Sequence, residues 1–177
     1  ALEVPEFEYT DLAELFENAE KNHTKPLIVL LDGVTDPHNL GAIVRSAAAF
    51  GASGVVIPGR RSASMNVTAW KASAGAAARL PIARVSNLVN AVRQCKEQGC
   101  FVLGLDGGGT SSVRESDLAD GPLALVTGAE GDGISRLVKE NCDLLTRIEI
   151  SSAVESLNAA VATGIALFEV AAVRREK

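Results

Sequence analysis

A chain of 177 residues is long enough for one domain with a real core, and 47% hydrophobic against 22% charged residues describes a chain that folds. The net charge of -5 counts against a dedicated nucleic-acid binder, because phosphate neutralisation by Lys and Arg supplies most non-specific affinity. No window nears the roughly 20 consecutive apolar residues of a membrane span, the N-terminus has no basic-then-apolar leader pattern, and Cys95, Cys100 and Cys142 form no C-x-x-C pair, so they read as free thiols of a reducing, cytoplasmic compartment.

Residues before about Pro26 are polar and acidic and read as a linker plus one helix, Asp11–Asn22. Leu27–Leu31 is a short apolar run ending in Asp32-Gly33, the pattern of a buried strand and a turn. Leu40–Phe50 carries apolar residues at helical spacing and is closed by Gly51. A strand at Gly54–Ile57, a helix at Ala69–Ala78 and a strand at Pro81–Val85 follow. Leu88–Gln98 reads as an amphipathic helix ended by Gly99, and Cys100–Leu105 as another buried strand, broken by the cluster Gly107–Gly109. Then come a strand at Leu123–Thr127, a short helix at Ile134–Asn141 and a last strand at Leu144–Ile150. A capping-box pattern, Ser152-x-x-Glu155, predicts the start of a C-terminal helix running to about Arg174. Buried apolar strands separated by helices argue for an α/β fold, a mostly parallel sheet covered on both faces.

Ligands of such sheets bind beyond the carboxyl ends of the strands, and three segments leave strands there with unusual residues. In the first, Asn39 is placed to cap a helix, and Gly41 and Arg45, four apart, share a face on which the glycine leaves room for a ligand beside the guanidinium. An ordinary capped helix with a solvated Arg fits the same spacing. The second, Thr127–Ser135, places Gly128, Gly131 and Gly133 at a strand-to-helix junction where the backbone can approach a ligand closely. It is neither a Walker loop nor a G-x-G-x-x-G fingerprint, and a plain Gly-rich turn fits it too. Glu130 in that loop suits a hydroxyl, an amine or an Arg better than a phosphate. The third, Ser151–Asn158, leads into a small-residue helix, where Ser and Asn often serve only as local backbone partners. His23 and His38 have no second ligand at metal-binding spacing, so no metal is expected. No hydrolase elbow occurs, and a Rossmann-type dehydrogenase is disfavoured because no G-x-G-x-x-G follows the first strand. Trp70, the only Trp, reads as a packing anchor ahead of a base-stacking platform.

In this order and spacing the three segments resemble the motifs of the SpoU class of RNA methyltransferases, from about Leu27 to the C-terminus. Asn-x-Gly-x-x-x-Arg is met by Asn39, Gly41 and Arg45; Gly-x-Glu-Gly-x-Gly by Gly128, Glu130, Gly131 and Gly133; Ser-Leu-Asn by Ser156, Leu157 and Asn158. Within the class, Leu31–Ala42 and Val161–Glu169 look most like the bacterial 23S rRNA guanosine 2'-O-methyltransferases. One departure is Ile148-Glu149, where many relatives have Ile-Pro.

The resemblance implies an α/β fold with a C-terminal trefoil knot, a rare topology, and a homodimer with its active site near the interface. It implies residues 26–177 as catalytic domain, with 1–25 left from an N-terminal RNA-binding domain. It further implies S-adenosylmethionine as cofactor, held around Gly104, Leu105, Gly128, Gly131, Ile148 and Leu157, and an RNA substrate, rRNA ahead of tRNA, without metal or membrane. Arg45, Asn39, Glu130, Ser156 and Asn158 are the implied catalytic residues. A tRNA ribose methyltransferase and a non-catalytic RNA-binding relative are the alternatives.

Overall fold

The computed structural model describes residues 5–177. Six strands form one parallel sheet: β1 (Leu27–Asp32), β2 (Gly54–Pro58), β3 (Ile82–Val85), β4 (Phe101–Leu105), β5 (Leu123–Gly128) and β6 (Leu144–Thr146), in the order β3-β2-β1-β5-β4-β6. The chain builds outward from β1 to β3, crosses to β4, inserts β5 between β1 and β4, and ends at the far edge. The apolar runs are continuous because both faces are covered. Leu27, Val29, Leu31, Val55, Leu103 and Leu125 pack in one core cluster with residues of α2 (Pro37–Ala49), α3 (Val67–Ala72) and α6 (Ala159–Glu176). Ile28, Leu30, Val56, Val102 and Val126 pack in a second with α1 (Leu12–Lys21), α4 (Leu88–Glu97) and α5 (Arg136–Glu140).

Helix α1 is part of this second layer. Asp11 caps it through the Glu14 N–H, Leu12 and Leu15 are buried, and Thr10 pairs with Ala83 on the β3 edge. The cysteines are free, and burial pushes the thiols of Cys95 up to about 12 and of Cys100 and Cys142 up to about 11.

Three elements differ from the sequence expectation. The helix expected over 69–78 breaks after α3, where Ala74 and Gly75 turn left-handed at φ 50° and 87°, and only a 3-10 turn follows at Ala76–Ala78. The last strand stops at Thr146, because the Arg147 N–H leaves β4 and donates to Ser111 O at 2.8 Å. The last helix starts at Ala159, not near Ser152: Asn158 Oδ1 accepts from the N–H groups of Ala160 and Val161 and is the true cap. The Ser151 hydroxyl instead closes a local turn onto the Ala153 N–H, so 151–158 is an exposed loop.

The strand edge at β6 has a second neighbour. Asp106 N donates to Thr146 O on the β4 side, while Thr110 N donates to Leu145 O and Ser111 bridges Thr146 in parallel. The connection from β4 to β5 therefore passes across β6 before returning.

Candidate active site

Helix α2 starts three residues earlier than Asn39 would set it. Asp36 is the cap, accepting from the His38 N–H at 2.8 Å, and Pro37 occupies the first turn, where a missing N–H is harmless. Asn39 is thereby freed for a long-range contact: Asn158 Nδ2 donates to its Oδ1 at 3.0 Å. Gly41 does not open space for a ligand. A Cβ there would stand 2.3 Å from Ala69 O and 2.5 Å from Ala72 Cβ, so the glycine lets α3 close onto α2. Arg45, one turn on, is exposed and makes no hydrogen bond or ion pair among the described residues.

The second segment folds back on itself. Ala129 and Gly133 exchange backbone hydrogen bonds, Gly133 N to Ala129 O at 2.8 Å and the reverse at 3.2 Å. Gly131 and Gly133 supply the left-handed turns, and a Cβ on Gly128 would lie 2.1 Å from Gly133 C. Glu130 stands exposed on this loop. The loop's exit is fixed by Asp32, whose Oδ2 accepts from the Ser135 N–H at 2.7 Å.

Beyond the carboxyl ends of β5, β4 and β6 lies a hollow of about 680 Å³, within the common range for small-molecule sites. Leu105, Gly128, Glu130, Gly131, Ile148, Ser156 and Leu157 line it together. Gly104 lies in the strand, where a Cβ would meet Cys142 Sγ at 2.9 Å, and is not in the lining. Neither are Asn39, Asn158 or Arg45. The backbone-lined cradle made by Gly128 and Gly131, with Ile148, Ile150 and Leu157 as apolar wall, fits a flat heterocycle with a polar tail. A larger groove, about 1460 Å³, runs between the N-terminal segment and α3 and contains none of the motif residues.

Sequence reasoning missed several members. Asp106 lines the hollow, accepts from the Gly108 N–H at 2.8 Å and pairs with Lys139 at 2.8 Å. The Lys139 ammonium, then the Gly108 N–H, hold its carboxyl below the usual carboxylate range. Its position at the end of β4, just before three glycines, was the available signal. Thr127, also in the lining, joins Thr163 of α6 through buried hydroxyls 2.9 Å apart. Arg147 ties the lining to the glycine loop through Gly109 O at 3.1 Å.

Beside Arg45, helices α2 and α6 leave an apolar hollow formed by Ala42, Phe50, Val161, Gly164, Ile165 and Phe168. Val161 and Phe168, 51% and 52% exposed, share this hollow, so they form one apolar patch and not isolated exposed side chains.

Comparison with known proteins agrees with this geometry. Residues 26–168 match the model of the SpoU rRNA Methylase family. An uncharacterized tRNA/rRNA methyltransferase of Mycolicibacterium vanbaalenii is 50% identical over 175 residues, 99% of this chain and 55% of that protein. The chain thus spans about half the length of the curated relatives it matches. Among solved structures, an AdoMet-bound rRNA methyltransferase from Sinorhizobium meliloti superposes with a TM-score of 0.81 at 32% identity, over 96% of this chain and 61% of that one. The SpoU methyltransferase AviRb from Streptomyces viridochromogenes, in complex with AdoMet, gives 0.78 at 31% identity, over 85% and 58%. Motifs, fold and these matches concur that the chain belongs to the SpoU rRNA methylase family.

Proposed function

We propose that this chain transfers the methyl group of S-adenosylmethionine to a ribose 2'-hydroxyl of RNA, a guanosine of 23S rRNA being the target that the motif resemblance favours. The observation that carries the reading is the single hollow at the carboxyl edge, where Gly128, Glu130, Gly131, Ile148, Ser156 and Leu157 meet from two motifs far apart in sequence. Backbone of the knot-like loops and the apolar wall would hold the cofactor, which supplies an electrophilic methyl on a sulfonium. Residues 26–177 act as the catalytic unit. No helix among the described residues is long and apolar enough to cross a membrane, and no group of potential metal ligands occurs among them.

Arg45 stabilises the ribose oxygen as it gains negative charge and grips the neighbouring phosphate. It does not act as a base, since a guanidinium stays protonated in proteins; as the O–CH3 bond forms and the S–CH3 bond breaks to leave a neutral thioether, the hydroxyl proton passes to a phosphate oxygen or water. Asn39 and Asn158 fix the first turn of α2 against the start of α6, and Ser156 and Glu130 orient the ribose.

Arg45 stands outside the lining of its own chain's hollow, next to the apolar α2–α6 face. A second copy packed on Ala42, Phe50, Val161 and Phe168 buries that face and brings an Arg45 to each hollow, so the working form is a homodimer. The passage of the β4–β5 connection across β6 supports a C-terminal segment threaded through that connection, the family's trefoil knot.

Calorimetry tests the cofactor. S-adenosylmethionine is expected to bind with a micromolar Kd and NAD not at all; binding of NAD alone contradicts the reading.

A further inference from the structure

The net charge of -5 conceals two parts of opposite sign. Residues 37–96 contain none of the chain's 22 Asp and Glu but eight of its 17 Lys and Arg: Arg45, Arg60, Arg61, Lys71, Arg79, Arg84, Arg93 and Lys96. Among the described residues only Lys96 of these forms an ion pair, with Asp143 at 3.4 Å. The other seven are exposed cations with no carboxylate of the described residues within salt-bridge distance. From this segregation we infer that the acidic chain carries its own RNA-backbone-binding edge, centred on Arg60 and Arg61.

Position decides which cations matter. Arg93 lies on α4, on the far layer. Lys71, Arg79 and Arg84 border the groove that Glu6 and Glu8 also line, and Arg84 is spread over the Tyr9 ring, 5.3 Å from its centroid. Their fields are partly cancelled. Arg60 and Arg61 follow β2 in a loop held by the Ala63 N–H on Val34 O at 2.8 Å, next to the turn that opens α2. They therefore sit at the carboxyl edge of the sheet, the edge that also carries the hollow. β2 is two strands from β5 in the sheet, about 10 Å at roughly 4.8 Å per strand. An RNA strand whose ribose reaches the hollow passes this pair within a few nucleotides. Arg61 is held left-handed at φ 54°, a conformation uncommon for a non-glycine residue. Asp36, the nearest carboxylate along the chain, is engaged with the His38 N–H.

This inference rests on the proposed RNA substrate, and its test is binding, not turnover. Affinity of the 177-residue chain for a fluorescent single-stranded RNA of mixed sequence is measured across salt concentrations by anisotropy. Arg60→Ala/Arg61→Ala is expected to weaken binding at least tenfold at low salt and to flatten the log K against log salt slope by about 1.4, since each phosphate contact on a single strand contributes roughly 0.7. Arg114→Ala/Arg175→Ala removes the same charge near the opposite end of the sheet and is expected to change binding less than twofold. An unchanged slope for the first variant, equal weakening by the second, or no RNA binding by the wild type overturns the inference. S-adenosylmethionine binding, followed separately, reports on the proposed activity: its loss alone overturns that activity and leaves the RNA edge standing.

Discussion

Asn158 and Asn39, 119 residues apart in sequence, share one hydrogen bond of 3.0 Å, the amide of Asn158 donating to the carbonyl of Asn39. The same Asn158 side chain caps α6 through two backbone N–H groups, so one residue both starts the last helix and ties it to the first turn of α2. Asn158→Ala is expected to lower stability by about 1–2 kcal/mol, the cap and the bridge together. In a chain of this size that is a melting temperature lower by roughly 2–8 °C. Asn39→Ala loses only the bridge, about 1 kcal/mol or less. A double-mutant cycle read by calorimetric melting should give a coupling of about 0.5–1 kcal/mol; strict additivity would remove the tie.

Gly41 and Gly128 answer to different partners. Gly41→Ala drives a methyl into Ala69 O and Ala72 Cβ and separates α2 from α3, costing about 1–3 kcal/mol by overpacking. Gly128→Ala pushes open the loop closed between Ala129 and Gly133, so its main effect is on cofactor affinity, a tenfold or larger loss by calorimetry. Equal affinity in the Gly128 variant would show that the loop tolerates opening.

The legibility of this fold in the sequence has a plain physical basis. The strands are legible in the sequence as apolar runs because helices cover both faces of the sheet. The failures cluster where long-range contacts override local pattern. Ser152-x-x-Glu155 has the letters of a capping box, but Asn158 captures the helix start and the true tie runs to Asn39. Asn39 looks like a cap, but Asp36 holds that place. Gly41 looks like an opening and is a packing contact, because nothing in periodicity shows where α3 returns. Asp106 carried no motif, and only the fold brings Lys139 to it.

Arg174 fastens the end of α6 to the start of the sheet. Its guanidinium donates to the carbonyls of Ala119, Lys25, Pro26 and Gly121, at 3.0, 3.1, 3.0 and 2.8 Å. Arg174→Ala leaves three acceptors in partly buried positions, Ala119, Pro26 and Gly121, and is expected to lower stability by about 2–3 kcal/mol; Arg174→Lys recovers part of it. Chemical denaturation measures both, and a loss under 0.5 kcal/mol for the Ala variant would mean that water replaces the guanidinium freely.

The Asp106–Lys139 pair makes a prediction with a definite sign. The folded carboxyl titrates below its unfolded value, so its stabilisation is present above the unfolded pKa and is lost as pH falls through the folded one. Lys139 is 39% exposed, which limits the pair to about 1 kcal/mol or less. Lys139→Met is therefore expected to destabilise by up to that amount at pH 7 and by progressively less as acid titrates the carboxyl. A difference that persists in acid would assign the effect to packing of the Lys139 stem.

The most direct measurement is methyl transfer from labelled S-adenosylmethionine to 23S rRNA and to tRNA, with the products digested to nucleosides. The wild type is expected to give a 2'-O-methylated nucleoside. Arg45→Ala is expected to lose at least a hundredfold in rate, the size seen when one donor to a developing oxyanion is removed, while binding the cofactor with unchanged affinity. A base-methylated product, or an Arg45→Ala variant that transfers at the wild-type rate, would contradict the account.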